Sequence, residues 1–323
     1  HFFHQQAVDG VVVDHQKIQP LRVGVFVNIG IAHGLGWCGL CRQRQGEPEG
    51  RALAPGAVKP DVSTHQFNQA SGDRQTQARA AIARLDVIAR LCKALEDAGY
   101  RALFVGGCVR NALLGVAVAD IDIASDARPE TVSNIAEKAG FRVVPTGIDH
   151  GTVTVIANGI PHEVTTFRRD VETDGRRAVV AFSQDVAEDA ARRDFTMNAL
   201  YADATGHVID PLGGLPDLIA RRVRFVGEAD ARIREDYLRI LRFFRFHAVY
   251  GDPDAGIDAD GLAACAANAY GIAGLSRERI GAEMRKLLAA KDPAPSVAIM
   301  AQAGILAQVL PGADHSALAP MVH

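Results

Sequence analysis

The sequence predicts an α+β fold in which a small mixed sheet flanked by helices is followed by an all-helical region. Short apolar or alternating segments between residues 102 and 167 indicate strands. The dipeptide Asn158-Gly159 separates two of them, as in an antiparallel hairpin, which excludes an all-parallel sheet. After about Val226, apolar residues recur at helical spacing.

The composition is that of a globular protein and excludes several classes. Of 323 residues, 48% are hydrophobic and 23% charged, which excludes a disordered chain, a collagen-like chain and a disulfide scaffold. The net charge of −3 excludes a global basic field, so a nucleic-acid site would be a local patch. Five cysteines, an odd number in a long chain, favour a reducing compartment. We therefore expect a cytoplasmic protein without a membrane span.

The first 75 residues differ from the rest. They lack a lasting period of 3.6 and contain a Pro/Gly-rich stretch at positions 46–60. We expect residues 1–75 to be a poorly ordered extension, with a non-native origin left open. Cys38 and Cys41 form a C-x-x-C in this segment, but a zinc site needs further ligands at suitable spacing, so metal or redox use is disfavoured.

The ordered elements follow one another from about Thr76. The pattern predicts a helix through residues 82–95, a buried strand, a Gly pair, a short helix, a half-buried strand and a helix capped by Ser125 or Asp126. Three more strands and three helices follow, the middle helix with Ser276 as its N-cap. The predicted strands cover residues 102–105, 119–124, 141–144, 152–156 and 160–167, and the helices 108–114, 129–139, 237–248, 276–290 and one from about 296.

Asp120 and Asp122 are the strongest candidates for chemistry. Residues two apart on a strand point the same way, so both carboxylates would face outward while Ile121 and Ile123 face the core. Divalent cations usually bridge such a pair where phosphoryl groups are transferred. The alternative is a solvent-facing strand with two ordinary aspartates. Glu163, on a neighbouring predicted strand, is the candidate third carboxylate, with a plain surface residue as the alternative, and we expect the adjacent His162 to be exposed.

A Gly pair precedes the two aspartates. Gly106 and Gly107 lie between a strand and a helix, where a backbone without side chains can approach a phosphate and Arg110 can add a cationic contact. The pattern lacks the Lys of the P-loop and both further Gly of the dinucleotide fingerprint. A tight turn is the alternative for the Gly pair alone.

These and later motifs, in this order, resemble the bacterial CCA-adding enzymes (tRNA nucleotidyltransferases), in the class that also contains bacterial poly(A) polymerases. The resemblance covers residues 82–310. The motifs that carry it are Gly106-Gly107-Cys108-Val109-Arg110 with Asp120-Ile121-Asp122, Arg192-Arg193-Asp194-Phe195-Thr196-Met197-Asn198-Ala199-Leu200, Asp210-Pro211-Leu212-Gly213-Gly214, Glu235-Asp236-Tyr237-Leu238-Arg239, and Ser276-Arg277-Glu278-Arg279-Ile280.

The resemblance implies a role for each matched residue. Asp120 and Asp122 would hold two Mg²⁺ ions, and Glu163 stays the candidate third catalytic carboxylate from its position on the predicted strand. Asp236 and Arg239 would read the base, a role that an i, i+3 pair on one helix face supports by offering an acceptor and a planar donor fork. An intrahelical ion pair is the alternative. The residues implied to bind the rest of the nucleotide are Gly106, Gly107, Arg110, Arg193, Asp194, Asn198 and Arg242.

Three further features refine this interpretation. Asn111 stands where the family pattern commonly has Asp, which leaves open which groups orient Arg110. Residues 168–189 correspond to a mobile loop that helps the switch from C to A addition in the family, with a surface hairpin as the alternative. Eight Arg against four acidic residues between positions 220 and 250 give a local charge of +4, which fits a groove for triphosphate and RNA. We expect Phe243, Phe244 and Phe246 to be core residues.

The resemblance also implies domains and an activity. We expect a catalytic head at residues 76–218, a helical neck at 219–290 and the start of a truncated helical body at 291–323. The implied activity is template-independent addition of CMP and AMP, from CTP and ATP, to the 3′ end of tRNA. The alternatives are a poly(A) polymerase that adds only A, and a non-catalytic RNA-binding protein on the same fold. The oligomeric state is left open.

Overall fold

The computed structural model describes residues 87–118, 120–174 and 177–322. The predicted extension at residues 1–75, the Cys38/Cys41 pair, the beginning of the first helix and the pair Gly175-Arg176 lie outside the described residues. Within the described ranges, no helix is long and apolar enough to span a bilayer.

The sheet confirms the predicted α+β architecture. Nine strands are described, and seven of them form one mixed sheet in the order β3-β4-β5-β2-β1-β8-β9. Only β2 and β5 are parallel neighbours within it. The strands are Ala102–Val105 (β1), Ile123–Ser125 (β2), Arg142–Gly147 (β3), Thr152–Ala157 (β4), Ile160–Thr166 (β5), Arg168–Asp174 (β6), Arg177–Phe182 (β7), Tyr201–Ala202 (β8) and Val208–Ile209 (β9).

Two hairpins extend the sheet region. Asn158 and Gly159 both have positive φ, 51° and 79°, so they form the predicted tight turn between β4 and β5. Strands β6 and β7 form a separate antiparallel ribbon that does not join the main sheet. The predicted polar segment 168–189 is therefore a two-stranded hairpin followed by the start of a helix.

Helices cover the sheet and then make up the C-terminal part of the described chain. Ser276 is the N-cap of its helix, accepting a hydrogen bond from the Arg279 backbone N–H at 3.4 Å, as predicted. The helices comprise residues 87–97 (α1), Gly107–Leu113 (α2), Pro129–Lys138 (α3), Val186–Ala191 (α4), Leu215–Ile219 (α5), Ala229–Glu235 (α6), Leu238–Tyr250 (α7), Ala259–Ala267 (α8), Arg277–Leu288 (α9), Ala294–Gln302 (α10), Ile305–Val309 (α11) and Leu318–Val322 (α12).

One hydrophobic core runs from the sheet into the helical region. Phe195 and Phe225 pack on Phe243 and Phe246 of α7, with ring centroids 4.9 to 6.3 Å apart. Phe243, Phe244 and Phe246 are all buried, which confirms that they are core residues. The aromatic side chains of α7 thus pack against the two segments that form an isolated bridge at Phe195 and Phe225, outside the named strands.

Two local predictions are wrong. His162 is 2% exposed, because it lies on the same face of β5 as the buried Val164 and Thr166. Arg128, without a side-chain cap, occupies the N-cap of α3. Asp126 instead accepts a hydrogen bond from the Arg101 backbone N–H at 2.7 Å, and Ser125 accepts one from Ala127 at 3.1 Å.

Candidate active site

Asp120 and Asp122 lie immediately before β2, so the predicted strand 119–124 is shorter than expected. Its partner β1 ends at Val105, where the backbone turns at Gly106 with φ 71°, and the last bond runs from Val105 N–H to the Asp122 carbonyl at 3.1 Å. Both aspartates are exposed, whereas Ile121 is half-buried and Ile123 buried. Exposed aspartates and covered isoleucines therefore alternate along residues 120–123 as predicted, and both carboxylates lie at the surface.

Glu163 lies beside this pair. In the parallel ladder Ile123 faces Val164, so the residues that precede them, Asp122 and Glu163, lie at the same edge of the sheet. The pKa of Asp122 is raised, first by desolvation and then by the negative charges of Glu163 and Asp120, while Arg193 opposes the rise. Mutual repulsion of this kind is what a divalent cation would relieve.

The donor set fits a divalent cation that also takes ligands from a substrate. Within the described residues, no group of three or more His, Cys, Asp or Glu could hold a metal ion alone. Magnesium, however, is usually bound by one or two carboxylates together with substrate phosphates. Asp120 and Asp122 would provide those carboxylates.

Gly106 lies beside the side chain of Arg193, so that a Cβ atom at this position would crowd the guanidinium. A Cβ atom at position 106 would lie 3.3 Å from Nη1 of Arg193 and 3.5 Å from the carbonyl oxygen of Asn198, and its φ is one that side chains rarely adopt. The guanidinium of Arg193 thus lies against the backbone of the Gly pair and acts electrostatically on Asp122.

Asp189, which the sequence analysis missed, holds Arg193 in that position. Its carboxylate is 1% exposed and accepts hydrogen bonds from Arg193 Nη2 at 3.0 Å, Arg192 Nε at 2.9 Å and the Tyr201 hydroxyl at 2.7 Å. Burial alone would raise the pKa of Asp189, but Arg193 and Arg192 outweigh it and the pKa is lowered. The spacing of three and four residues to the two arginines was the available sequence signal.

A chain of polar contacts joins α7 to the sheet region. Arg242 binds Asp194 through Nε at 2.8 Å and through Nη2, Asp194 accepts from Asn198 Nδ2 at 2.9 Å, and Asn198 Oδ1 accepts from Arg110. Burial would raise the pKa of Asp194, but Arg242 and Asn198 lower it. These four predicted site residues lie together, and they bind one another.

Arg110 is buried rather than open to a ligand. Its guanidinium lies 4.0 Å from the ring centroid of Tyr250 and donates to the Tyr250 hydroxyl at 2.7 Å. It also donates to Asn111 Oδ1 at 3.1 and 2.8 Å. Desolvation lowers its pKa. The groups that orient Arg110 are therefore Asn111, Asn198 and Tyr250.

Asp236 and Arg239 do not share a helix, contrary to the expectation of an i, i+3 pair on one helix face. Asp236, with φ −153°, ends α6, and α7 begins at Leu238 because the Asp236 carboxylate accepts from the Leu238 backbone N–H at 3.1 Å. Asp236 pairs with Arg279 at 2.7 Å, and Arg239 with Glu235 at 2.5 Å. Each side chain thus forms an ion pair with another residue, and Asp236 and Arg239 do not pair with each other.

The arginine-rich stretch is largely neutralised by ion pairs. Seven of its eight arginines contact a carboxylate within 4 Å. The pairs are Arg222 and Arg224 with Asp217, Arg232 and Arg239 with Glu235, Arg234 with Asp230, Arg242 with Asp194, and Arg245 with Glu283. The local excess of positive charge is therefore spread over a network rather than along a bare groove.

Two family models match the chain. Residues 102–224 match the one described as "Poly A polymerase head domain", and residues 256–316 match "Probable RNA and SrmB- binding site of polymerase A". The first match contains the carboxylates, the Gly pair and Arg193, and the second contains Arg279.

Curated relatives and solved structures agree with these matches. The chain is 43% identical over 224 residues to a CCA-adding enzyme of Geobacillus thermodenitrificans, covering 69% of this chain and 54% of that protein. It is 46% identical over 198 residues to a CCA-adding enzyme of Streptococcus pyogenes, covering 61% and 48%. The crystal structure of the Bacillus stearothermophilus CCA-adding enzyme in complex with CTP matches with a TM-score of 0.64 and 36% identity, covering 73% of this chain and 57% of that one.

The chain spans about half the length of the curated relatives that it matches. The chain belongs to the tRNA nucleotidyltransferase/poly(A) polymerase family.

Proposed function

We propose that this protein adds CMP and AMP, from CTP and ATP, to the 3′ end of tRNA without a template. The observation that carries the proposal is that Asp122 and Glu163 precede paired residues of two neighbouring strands, with the positive charge of Arg193 beside the Gly106 backbone acting on Asp122. The names of the relatives support it, as does a matched structure of a tRNA nucleotidyltransferase complexed with a primer tRNA and an incoming ATP analog, at 25% identity and a TM-score of 0.58. A tRNA substrate accords with the cytoplasmic location predicted above.

In the proposed reaction, the 3′ hydroxyl of tRNA attacks the α-phosphorus of the nucleotide in line and pyrophosphate leaves. Two Mg²⁺ ions held by Asp120 and Asp122, with Glu163 beside them, would supply charge neutralisation at the attacking and leaving oxygens. Arg193 places a fixed positive charge beside the Gly106 backbone, where the triphosphate can approach closely. Asp189 keeps that charge in place before the substrate binds.

The remaining site residues would shape and read the nucleotide pocket. A chain of hydrogen bonds joins the proposed head (76–218) to the proposed neck (219–290) and runs through Arg110, Asn198, Asp194 and Arg242. Asp236 and Arg239 offer a carboxylate and a guanidinium for the edge of the incoming base, each already oriented by a neighbour.

The test is incorporation of each of the four nucleotides onto a tRNA that lacks its 3′ end. We expect the wild-type chain to incorporate C and A but neither U nor G, and Asp120→Ala and Asp122→Ala to abolish incorporation. Asp260→Ala, at an exposed aspartate of α8, is the matched control and should retain it. Incorporation of A alone would favour a poly(A) polymerase. If no nucleotide gives Mg²⁺-dependent pyrophosphate release, the protein is a non-catalytic RNA-binding protein.

A further inference from the structure

Tyr237 and Tyr270 form a partly open aromatic surface at the start of α7, which we call the tyrosine corner. Their ring centroids are 5.8 Å apart with the ring planes inclined by 60°, and their hydroxyl oxygens lie 3.4 Å apart. Tyr237 directly precedes α7 and is half-buried, whereas Tyr270, in a short 3₁₀ helix (Ala269–Gly274), is 64% exposed. Aromatic rings gain much free energy when they are covered, so the open ring of Tyr270 can bind a planar ligand.

The backbone holds the tyrosine corner in place. A Cβ atom at position 271 would lie 2.0 Å from Cδ1 of Tyr237, so the ring of Tyr237 lies directly on the main chain at Gly271. The backbone N–H of Gly271 donates to the carbonyl oxygen of Asn268 at 3.0 Å. Asn268 is 1% exposed, and its Nδ2 donates to the Asp230 carboxylate at 2.7 Å. The corner is therefore fixed before a ligand arrives, which lowers the entropic cost of binding.

Two arginines flank the tyrosine corner and reach solvent. Arg234 contacts Asp230 at 3.0 Å, and Arg279 contacts Asp236 at 2.7 Å. The side chains of these arginines are 62% and 48% exposed. Each contact uses only part of the five N–H donors of a guanidinium, so both arginines can also donate to the phosphates or 2′-hydroxyls of an RNA strand.

Asp236 connects the tyrosine corner to the proposed nucleotide site. Its carboxylate is proposed to contact the edge of the incoming base, and Tyr237 is the next residue, so their Cα atoms are about 3.8 Å apart. In the proposed reaction the attacking 3′ hydroxyl lies beside the incoming nucleotide. The unpaired nucleotides that precede this hydroxyl therefore run past the same part of the surface. Tyr270 and Arg279 also lie within residues 256–316, the segment that matches the second family model.

We propose that Tyr270, supported by Tyr237, stacks on an unpaired base of the tRNA 3′ end and so holds the strand that is to be extended. Every base can stack on an aromatic ring, so the corner adds affinity for the strand without selecting the nucleotide. That this strand is a tRNA end rests on the proposed function, whereas the stacking of single-stranded RNA can be tested separately.

The test is binding of a short single-stranded RNA that ends in CC, followed by fluorescence anisotropy in EDTA and without nucleotide, so that neither metal nor activity contributes. Tyr270→Phe keeps the ring, whereas Tyr270→Leu keeps apolar bulk without a ring. We expect Tyr270→Phe to bind like the wild type and Tyr270→Leu to bind about tenfold more weakly, which is about 1.4 kcal/mol and within the range for one stacked base. Leu288→Ala, at an exposed apolar side chain of α9, is the control and should bind like the wild type.

The salt dependence of binding distinguishes stacking from a change in charge contacts. Tyr270→Leu removes no cation, so the slope of log K against log salt should equal that of the wild type. A blunt RNA duplex has no unpaired base, so its binding should not depend on residue 270. Equal RNA binding by Tyr270→Leu and Tyr270→Phe overturns the proposal, as does a wild-type chain that does not bind the single-stranded RNA.

Steady-state assays connect the tyrosine corner to the proposed reaction. We expect Tyr270→Leu to raise KM for tRNA about tenfold and to change KM for CTP less than about twofold. A wild type that incorporates no nucleotide would refute the proposed function, and the comparison of RNA binding would still decide the role of Tyr270.

Discussion

Replacement of Asp189 by Asn tests whether a buried carboxylate holds Arg193 in place. Oδ1 accepts from Arg192 and Oδ2 from Arg193 and Tyr201, so either orientation of an amide would direct its N–H₂ group at a donor. Asp189 is 1% exposed and the side chains of the two arginines are 17% and 19% exposed. Breaking a buried ion pair on one side costs about 3–5 kcal/mol. Because both arginines reach solvent, we expect a loss near the lower end of that range.

The assay is urea unfolding of wild type and Asp189→Asn at several pH values, with Asp260→Asn as the control for loss of an exposed carboxylate. The pKa of Asp189 is lowered in the folded chain, whereas an unperturbed aspartate has a pKa of about 3.9. Its stabilisation is therefore complete above that value and is lost as the pH falls through the lower folded pKa. The difference between wild type and variant should be constant near neutral pH and shrink below about pH 4.

Two results would refute this reasoning. The first is an unfolding free energy of Asp189→Asn equal to that of Asp260→Asn at neutral pH. The second is a difference that grows as the pH falls. If Arg193 binds the triphosphate, Asp189→Asn should also lower kcat/KM for CTP about tenfold, equivalent to about 1.4 kcal/mol of transition-state stabilisation.

Three further predictions concern packing, ion pairing and thiols. A Cβ at Gly214 would lie 2.3 Å from the Thr196 carbonyl oxygen, so Gly214→Ala should destabilise the fold by about 2–3 kcal/mol in urea unfolding. Gly213→Ala, with open space but positive φ, should cost about 1 kcal/mol, and the reverse order would contradict the packing argument. Glu283→Gln should cost about 3 kcal/mol by the same measurement, because Glu283 pairs with the poorly exposed Arg245 at 2.5 Å; no loss would show that the pair is dispensable. Burial raises the pKa of the three described thiols, that of Cys92 to about 12. Iodoacetamide at pH 8 should therefore label Cys92, Cys108 and Cys265 only after unfolding, as read by peptide mass mapping. Rapid labelling of the native chain would contradict their burial.

Elements with a local signal could be predicted from the sequence. The hairpin at Asn158-Gly159, the cap at Ser276 and the short helix after the Gly pair depend on neighbouring residues, and all three are present. The outward direction of Asp120 and Asp122 followed from alternation alone, even though the strand itself begins only at Ile123.

Features that depend on tertiary contacts could not be predicted. His162 is buried because it lies on the covered face of β5 with Val164 and Thr166, and which face of a strand is covered depends on the packing of distant elements. The break between Asp236 and Arg239 lies at the extended backbone of Asp236, which ends one helix before the next begins at Leu238. In the sequence, Asp189 is one of several acidic residues in a polar segment. Its role as a hydrogen-bond acceptor follows from its burial beside Tyr201, which depends on the fold.

The aromatic cluster that joins α7 to the sheet region has a consequence for how such proteins can recombine. Phe195 and Phe225 form complementary surfaces with Phe243 and Phe246, so neither set is covered without the other. In a chimera whose crossover falls between residues 225 and 243, the two sets of rings would come from different parent proteins. A crossover outside residues 195–246 would keep both sets of rings from one parent, so we expect chimeras with such junctions to fold better.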